Sequence, residues 1–278
     1  ALFAAISGSS AATVATVGKM SIPELRKRNY PEKILLGSLA GSGTLGLLIP
    51  PSIILIIYGV TVQESIAKLF VAGIIPGIMI ALIFMSYVIL WSLFNKKQMP
   101  NIVNQYSFID KIKRSGQLIP VIILILSVIG SIYTGIATAT EAASLGVVGA
   151  LILSYFQKSL SWSNFKSSLL GATKTSCMIS FILAGSAFLS LAMGFTGLPR
   201  NLAIWINSLE LSPYILIFVL MIFYIILGMF LDGISAVVLT MAIIEPMIRQ
   251  AGFDMIWFGI FLVVVVEMAQ ITPPVGFN

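Results

Sequence analysis

Residues 41–52 read GSGTLGLLIPPS and interrupt an apolar segment, 34–60, that otherwise has the composition of a membrane-spanning helix. Pro50 and Pro51 each lack a backbone N–H and clash with the preceding helical turn, and three glycines add backbone freedom. In hydrocarbon, every backbone group released from the helix is costly unless protein or water satisfies it. Such an interruption is typical of the binding sites of secondary transporters. A plain kinked helix is the alternative, but a kink needs only one of these prolines.

The composition indicates a protein that crosses a membrane several times. Of the 278 residues, 58% are hydrophobic and 9% are charged, whereas soluble domains contain about 25% charged residues. The net charge of +6 is carried by basic residues between apolar runs, which follows the positive-inside rule and needs no nucleic acid. The chain has no histidine and a single cysteine, Cys177, so an intrachain disulfide and a Cys/His metal site are excluded.

Apolar runs separated by polar connections set the predicted order of the helices. The predicted segments are the broken span 34–60, the spans 65–94, 117–135, 141–157, 176–196 and 213–231, a shorter arm at 234–248, and a second broken span from 256. Three connections are basic: 18–33, 95–116 and 158–174, the last with Trp162 and Phe165 in an amphipathic interfacial piece. The alternating connections are nearly neutral: 61–64, 136–140, 197–212 and 249–254. The basic side is predicted to be cytoplasmic.

The interruption has a counterpart near the other end of the chain. The tip that starts at Ser7 (SGSS) precedes Pro50-Pro51 by 43 residues, and the Asp232-Gly233 tip precedes Pro273-Pro274 by 41. Because the two copies run in opposite directions in the predicted topology, they form an inverted-topology repeat, which is the sequence mark of a transporter site. The alternative is a chance coincidence of Gly, Ser and Pro pairs. Repeat symmetry also predicts roughly 110–120 residues before Ala1 and one span after Asn278.

Several motifs together carry a resemblance to a known family. They are AISGS at 5–9, GLLIPPSI at 46–53 with Tyr58-Gly59, FVAGIIPG at 70–77, TEAA at 140–143 and TPPVGFN at 272–278. Over essentially its whole length, the chain resembles the large membrane subunit of TRAP (tripartite ATP-independent periplasmic) transporters. Two stretches depart from the family pattern: SAATV at 10–14, where members often have an Asp, and residues 242–245, which are richer in proline in many relatives.

The resemblance implies a fold and a function. The fold would be an all-α polytopic membrane protein with two re-entrant hairpins and two broken helices that move as an elevator. Residues 1–60 and 232–278 would form the transport domain, and residues 61–231 the connecting and scaffold spans, including the start of the second hairpin. The function would be sodium-coupled uptake of an organic acid, such as a C4-dicarboxylate or a sialic acid, across a bacterial or archaeal cytoplasmic membrane. The implied partners are a periplasmic binding protein and a small membrane subunit, fused or separate; no cofactor is expected beyond Na⁺ as coupling ion.

Sodium prefers oxygen ligands, which unwound carbonyls and hydroxyls supply without fixed charge. The predicted sodium ligands are Ser7, Ser9, Ser42, Gly43 and Thr44 at the first tip and break, and Asp232, Gly233, Ser235, Thr272 and Pro273 at the second. Helix N-termini at the two tips would direct partial positive charge at a substrate carboxylate. The predicted substrate-binding residues are Ser9, Ser10, Thr13, Pro50, Ser235 and Pro274.

The acidic residues within apolar segments each admit a structural and a functional interpretation. Asp232 either caps the following helix or binds sodium. Thr138 and Glu141 match a capping box. Glu267 either lines the pathway or makes a buried hydrogen bond, and Glu245 is predicted to be structural.

Other function classes find less support in the sequence. The GxGxxG match at residues 41–46 follows no strand, no GxxxxGK[ST] motif is present, and a Ser-His-Asp triad is impossible without histidine. An intramembrane hydrolase would need a nucleophile beside a base, and no such pair is evident. A self-sufficient sodium/carboxylate symporter without a binding protein and a passive channel remain alternatives.

Overall fold

The computed structural model describes residues 10–100, 116–197 and 212–276, together with Phe3, Gly8, Asn201, Leu202, Ile204, Trp205 and Ser208. Within these ranges, the regular structure is helical and contains no strand. The α-helices are α1 (Ser10–Lys27), α2 (Glu32–Thr44), α3 (Ile53–Thr61), α4 (Ile66–Phe94), α5 (Ile119–Tyr133), α6 (Ala139–Phe156), α7 (Trp162–Thr196), α8 (Pro213–Gly228), α9 (Gly233–Gln250) and α10 (Met255–Gln270). Short 3-10 turns occupy Leu45–Leu47, Lys96–Gln98 and Gly116–Leu118.

Among the helices of these described ranges, four are long and apolar enough to cross a membrane: α4, α6, α7 and α9. Of the shorter apolar helices, α5 and α8 lie between them in the chain, and α10 follows α9. The broken span predicted at 34–60 is confirmed, because α2 ends at Thr44 and α3 begins only at Ile53. The described part of the chain is therefore all-helical, and its four long apolar helices indicate a multi-pass membrane protein, as predicted.

Polar side chains define where several of these helices begin. The hydroxyl of Ser212 accepts the Ile215 N–H at the start of α8, and the carboxylate of Asp254 accepts the Trp257 N–H at the start of α10. Each oxygen satisfies an N–H group that has no partner within its own helix. These helix starts are thus encoded locally, by one residue each.

Two of the predicted connections between helices are shorter in the structure than the sequence indicated. Helix α1 continues through Pro23 to Lys27, so the basic connection predicted at 18–33 is reduced to residues 28–31. Helix α7 is continuous over 35 residues from Trp162, so the separate interfacial piece predicted at 158–174 is wrong. Both errors have one cause: scattered Lys and Ser residues suggest a helix boundary, but both residue types are compatible with a helix interior.

The chain divides into two compact units, residues 95–176 and the remainder. In the smaller unit, α5 and α6 pack closely, and a Cβ placed on Gly149 would lie 2.3 Å from Leu124 Cδ1. In the larger unit, α10 is the central helix and contacts α3, α4, α8 and α9. Eleven of its 16 residues are buried, which leaves little of its surface for lipid.

One end of the larger unit is fixed by a charged network. The guanidinium of Arg249 donates to Glu245 Oε1 at 2.9 Å and to the Val62 carbonyl at 3.2 Å, and lies 3.6 Å from Glu64 Oε1. These contacts bring the connections 61–64 and 249–254 together, which agrees with their predicted position on one side of the membrane. Glu245 is ion-paired here, so its predicted structural role is confirmed.

Candidate functional site

The first break is a structured turn. The Leu45–Leu47 turn follows α2, and the Ile49 N–H donates to the Leu45 carbonyl at 2.9 Å. Ser52, fully buried, then closes the break: its hydroxyl donates to the Leu47 carbonyl and accepts the Leu55 N–H at the start of α3. One side chain thus caps the second half-helix and holds the end of the first beside it.

The first tip packs directly on this break. Gly8 has φ +59°, and a Cβ at that position would lie 3.3 Å from Ile53 Cγ1 and 3.4 Å from the Pro51 carbonyl oxygen. Gly43 approaches α1 even more closely, since its Cβ would lie only 2.2 Å from Val14 Cγ2. Glycine is therefore required at both positions by close approach, and at Gly8 also by the positive φ.

The second tip is held by Asp232. Its Oδ2 accepts the N–H groups of Ile234 and Ser235 at 3.1 and 3.2 Å, and its Oδ1 accepts the Ser235 hydroxyl at 2.5 Å. The predicted cap of α9 is confirmed. Carboxylate oxygens have further lone pairs, so capping does not exclude sodium ligation.

The second tip lies against both breaks. A Cβ on Gly233 would lie 2.8 Å from Gln270 Nε2 and Val266 Cγ1 on α10, and 3.0 Å from Ile54 Cδ1 on α3. Beyond Gln270, the Thr272 hydroxyl donates to the Met268 carbonyl at 2.7 Å and its N–H to the Ala269 carbonyl at 3.0 Å. The end of α10 is therefore extended by one turn before Pro273.

A hydrogen bond joins the first tip to the second break. The Ser10 hydroxyl donates to Gln270 Oε1 at 3.0 Å, although 260 positions separate the two residues. Both residues are buried, with exposed fractions of 5% and 3%. Together with the contact of Gly233 with Ile54, this bond brings the two tips, the first break and the end of α10 to one place.

The predicted site residues occupy different environments. Ser7 and Ser9 lie outside the described residues. Those that are buried are Ser10, Thr13, Gly43, Thr44, Pro50 and Gly233. Those that are partly buried are Ser42, Asp232, Ser235 and Thr272, and those that are exposed are Pro273 and Pro274.

Ser42 differs from its neighbours in its surroundings. Its hydroxyl donates to the Leu39 carbonyl at 3.4 Å, and it lines an apolar groove of about 940 Å³ between α2 and α4. Thr44 is buried, and its hydroxyl donates to the Gly41 carbonyl at 2.9 Å. The two neighbouring residues thus present their hydroxyls to different surroundings, which a sequence pattern does not distinguish.

The sequence analysis missed Gln270 as a member of the site. Its signal was available, because it is a lone amide at the end of an apolar run and two residues before the Thr-Pro-Pro motif. Glu267, one turn earlier, was predicted either to line the pathway or to make a buried hydrogen bond; its exposed fraction is 4%, and within the described residues its Oε1 has no hydrogen-bond partner. The buried hydrogen bond considered for Glu267 is therefore not seen at this oxygen. The predicted capping box of Thr138 and Glu141 is confirmed.

Comparison with known proteins gives one consistent result. The family described as tripartite ATP-independent periplasmic transporter, DctM component, matches residues 1–278. The chain is 34% identical to the C4-dicarboxylate TRAP transporter large permease protein DctM of Pseudomonas aeruginosa, over 100% of this chain and 64% of that protein. It is 33% identical to the isethionate TRAP transporter permease protein DctMQ of Oleidesulfovibrio alaskensis, over 99% and 43%. It is 31% identical to the 2,3-diketo-L-gulonate TRAP transporter large permease protein YiaN of Escherichia coli, over 99% and 64%. The chain thus spans less than two thirds of the length of each of these relatives.

Proposed function

Because this chain belongs to the DctM component family of tripartite ATP-independent periplasmic transporters, we propose that it forms part of a sodium-coupled carrier for an organic acid. The family is one of transporters, so the chain is a transporter permease and not an enzyme. The coupling to sodium, the identity of the substrate and the partners of the whole protein are part of this proposal.

The observation that carries the proposal is the bond between the Ser10 hydroxyl and Gln270. It joins the tip of one copy to the broken segment of the other, in the buried centre of the larger unit. Interrupted helices that meet in this way offer unpaired carbonyls and amide groups to a ligand, while protein shields them from lipid. A binding site for an ion and a carboxylate best explains why these two segments are in contact in a buried place.

The helix boundaries support an internal repeat. A single shift of 223 residues aligns the starts of α1 and α9 at 10 and 233, and of α2 and α10 at 32 and 255. Both α1 and α9 have 18 residues. The same shift aligns Pro23 with Pro246 and Pro50-Pro51 with Pro273-Pro274. It also aligns Asp232 with Ser9, whereas the sequence analysis had matched Asp232 with Ser7. We infer from this regularity that the two copies are inverted repeats whose hairpins move together as an elevator.

The sodium ions are proposed to bind at the two breaks. Thr44 and Thr272 already donate their hydroxyl protons to carbonyls of their own helices, so the oxygen lone pairs are left to face a cation. At the second tip, Asp232 adds a full negative charge beside Ser235. Oxygen ligands of this kind suit Na⁺, which needs no nitrogen or sulfur donor.

The substrate is proposed to be an organic acid of the C4-dicarboxylate class. The P. aeruginosa relative is named for C4-dicarboxylate, and the others for isethionate and 2,3-diketo-L-gulonate, all of them small organic anions. The helix starts at Ser10 and Gly233 supply N–H groups and partial positive charge for such an anion. A sialic acid is a further candidate of the same charge.

The proposed partners follow from family membership. A small membrane subunit and a periplasmic binding protein would complete the carrier in a bacterial or archaeal cytoplasmic membrane, and the O. alaskensis relative is named as a DctMQ protein. A self-sufficient symporter is the second candidate, but no observation on this chain favours it over the tripartite system.

The test is uptake into proteoliposomes that contain the full-length permease and its small subunit. A labelled C4-dicarboxylate is supplied outside under an inward sodium gradient, with and without the binding protein. We expect uptake only when both sodium and the binding protein are present. Uptake without the binding protein would support the symporter, and uptake independent of sodium would refute the proposed ion sites.

A matched pair of variants connects this assay to the site. Thr44→Val removes a hydroxyl at the first break, and Thr173→Val removes one on α7 that donates to the Leu169 carbonyl at 2.8 Å in the same way. We expect the apparent sodium affinity to fall in the first variant and to stay unchanged in the second. Equal affinity in both would exclude Thr44 as a ligand.

A further inference from the structure

Glu267 has an ionisable side chain that is buried in apolar surroundings. It lies on α10, the central helix of the larger unit, three residues before Gln270. Its exposed fraction is 4%, and its Oε1 is buried without a hydrogen-bond partner within the described ranges. Nothing in the proposed transport cycle uses this carboxyl group, so its position needs an explanation.

Helical periodicity shows which side of α10 Glu267 occupies. Seven residues make about two turns, so Glu267 lies on the same face as Ile260. At the level of Ile260, this face meets α4: a Cβ on Gly73 would lie 3.7 Å from Ile260 Cδ1 and 2.8 Å from the Leu48 carbonyl oxygen. One turn beyond Glu267, Ile271 lines the groove between α2 and α4. Glu267 therefore lies on the side of α10 that faces α4 and the first break, which α10 also contacts at Leu45–Leu47.

The charged and titratable side chains on the neighbouring helices are committed elsewhere. On α9, Asp232 caps its own helix, and Glu245 pairs with Arg249 at the far end. The Tyr224 hydroxyl on α8 bonds with the Thr240 hydroxyl at 2.6 Å, and the Tyr58 hydroxyl on α3 donates to the Met255 carbonyl at 2.6 Å. On α4, the titratable side chains are Lys68 and Tyr87, both exposed.

We propose that Glu267 is a proton-binding site of the permease, loaded in this conformation and emptied when α10 moves relative to α4. A carboxylate without a partner in such a place is costly, and a bound proton removes the charge without any further ligand. A sodium ion at the same point would need several oxygens, whereas a proton needs one. On loading, a hydronium ion gives its proton to a carboxyl oxygen of Glu267 and becomes water; on release, the Glu267 O–H bond breaks and the proton returns to water. Proton binding at Glu267 does not depend on the proposed function. The coupling of proton release to uptake rests on it.

The first experiment measures protonation directly, without transport. Infrared spectra of the full-length permease in lipid are compared between the wild type and Glu267→Gln at neutral pH. We expect the wild type to show an additional carbonyl stretch of a protonated carboxyl group, which shifts in deuterated water. Glu245→Gln is the matched control, because that carboxylate is ion-paired, and its removal should leave the band intact. Absence of the band from the wild type would overturn the proposal.

The second experiment tests whether the proton leaves during the cycle. Sodium-driven uptake is measured against pH in the wild type and in Glu267→Gln, whose amide mimics the protonated acid in shape. We expect wild-type uptake to vary with pH and the variant to lose the part that is due to Glu267. Identical pH profiles in wild type and variant would overturn the coupling even if the infrared band is present. If the Gln variant does not fold, Glu267→Asp should keep the band and shift the profile, and a profile unchanged in this variant would equally refute the coupling.

Discussion

The close packing of α1 on α2 makes a sharp prediction at Gly43. A methyl group in Gly43→Ala would lie 2.2 Å from Val14 Cγ2, whereas ordinary contacts begin at 3.4 Å. Val14 is β-branched and has few alternative rotamers on a helix, so the strain must move the helices apart. Overpacking of this kind costs about 1–3 kcal/mol. For a unit of this size, we expect the melting temperature to fall by roughly 2–12 °C.

The same helix provides the control. Gly37 also lies on α2, and a Cβ placed on it would have nothing within 4 Å. Gly37→Ala therefore replaces a poor helix former by a good one without a clash. That change should raise stability by up to about 1 kcal/mol. Both variants replace Gly by Ala, but Gly43→Ala should lower the free energy of unfolding and Gly37→Ala should raise it. The comparison therefore separates the effect of packing from that of helix propensity.

The assay is thermal unfolding of the full-length permease, followed by intrinsic fluorescence, in a double-mutant cycle with Val14→Ala. Truncation of Val14 removes the clashing methyl, and the remaining Val14 Cβ lies 3.6 Å from the new methyl, an ordinary contact. We therefore expect Gly43→Ala to be nearly neutral in the Val14→Ala background. The reasoning is refuted if Gly43→Ala melts no lower than Gly37→Ala, or if Val14→Ala gives no rescue.

Three further changes test the site and its supports. Ser10→Ala removes the donor to Gln270 Oε1 and should cost about 1–3 kcal/mol, measured as a lower melting temperature; no loss would show that the bond is not made in the membrane. Asp232→Asn should keep the cap of α9 while it weakens sodium-dependent uptake, and an unchanged sodium dependence would limit Asp232 to capping. Thr138→Ala should destabilise α6 by about 1 kcal/mol without a change in apparent sodium affinity, and an altered affinity would contradict the structural role of this capping box.

The agreement between sequence and structure is greatest where one residue acts on its own helix. Asp232 accepts N–H groups of the helix that follows, and Thr138 pairs with Glu141 three residues away, as predicted. Caps depend on residues within one turn, so their pattern is visible in the sequence. The break at Pro50-Pro51 is equally local, because two consecutive prolines and three glycines act on the segment in which they stand, whereas the single Pro23 does not end α1.

The agreement ends where a contact joins distant parts of the chain. The extent of α7 was misjudged because Lys and Ser residues are common at helix ends but also stable within a helix. The role of Gln270 was missed because its partner, Ser10, lies 260 positions away. A residue's own type gives no information about such a partner.

Apolar runs, prolines and caps act over one or two helical turns, so they are enough to predict a multi-pass helical membrane protein with an interruption before Pro50-Pro51, whereas its assignment to a transporter family rested on the resemblance of its motifs. Contacts between distant helices place the first tip against the end of α10, put Gly43 and Gly233 in close helix contacts, and leave Glu267 buried without a partner at Oε1 in the described part of the chain. The physical reason is the range of the interactions. Backbone preferences are set by neighbours in sequence, whereas burial and hydrogen bonding are set by whichever helices pack together.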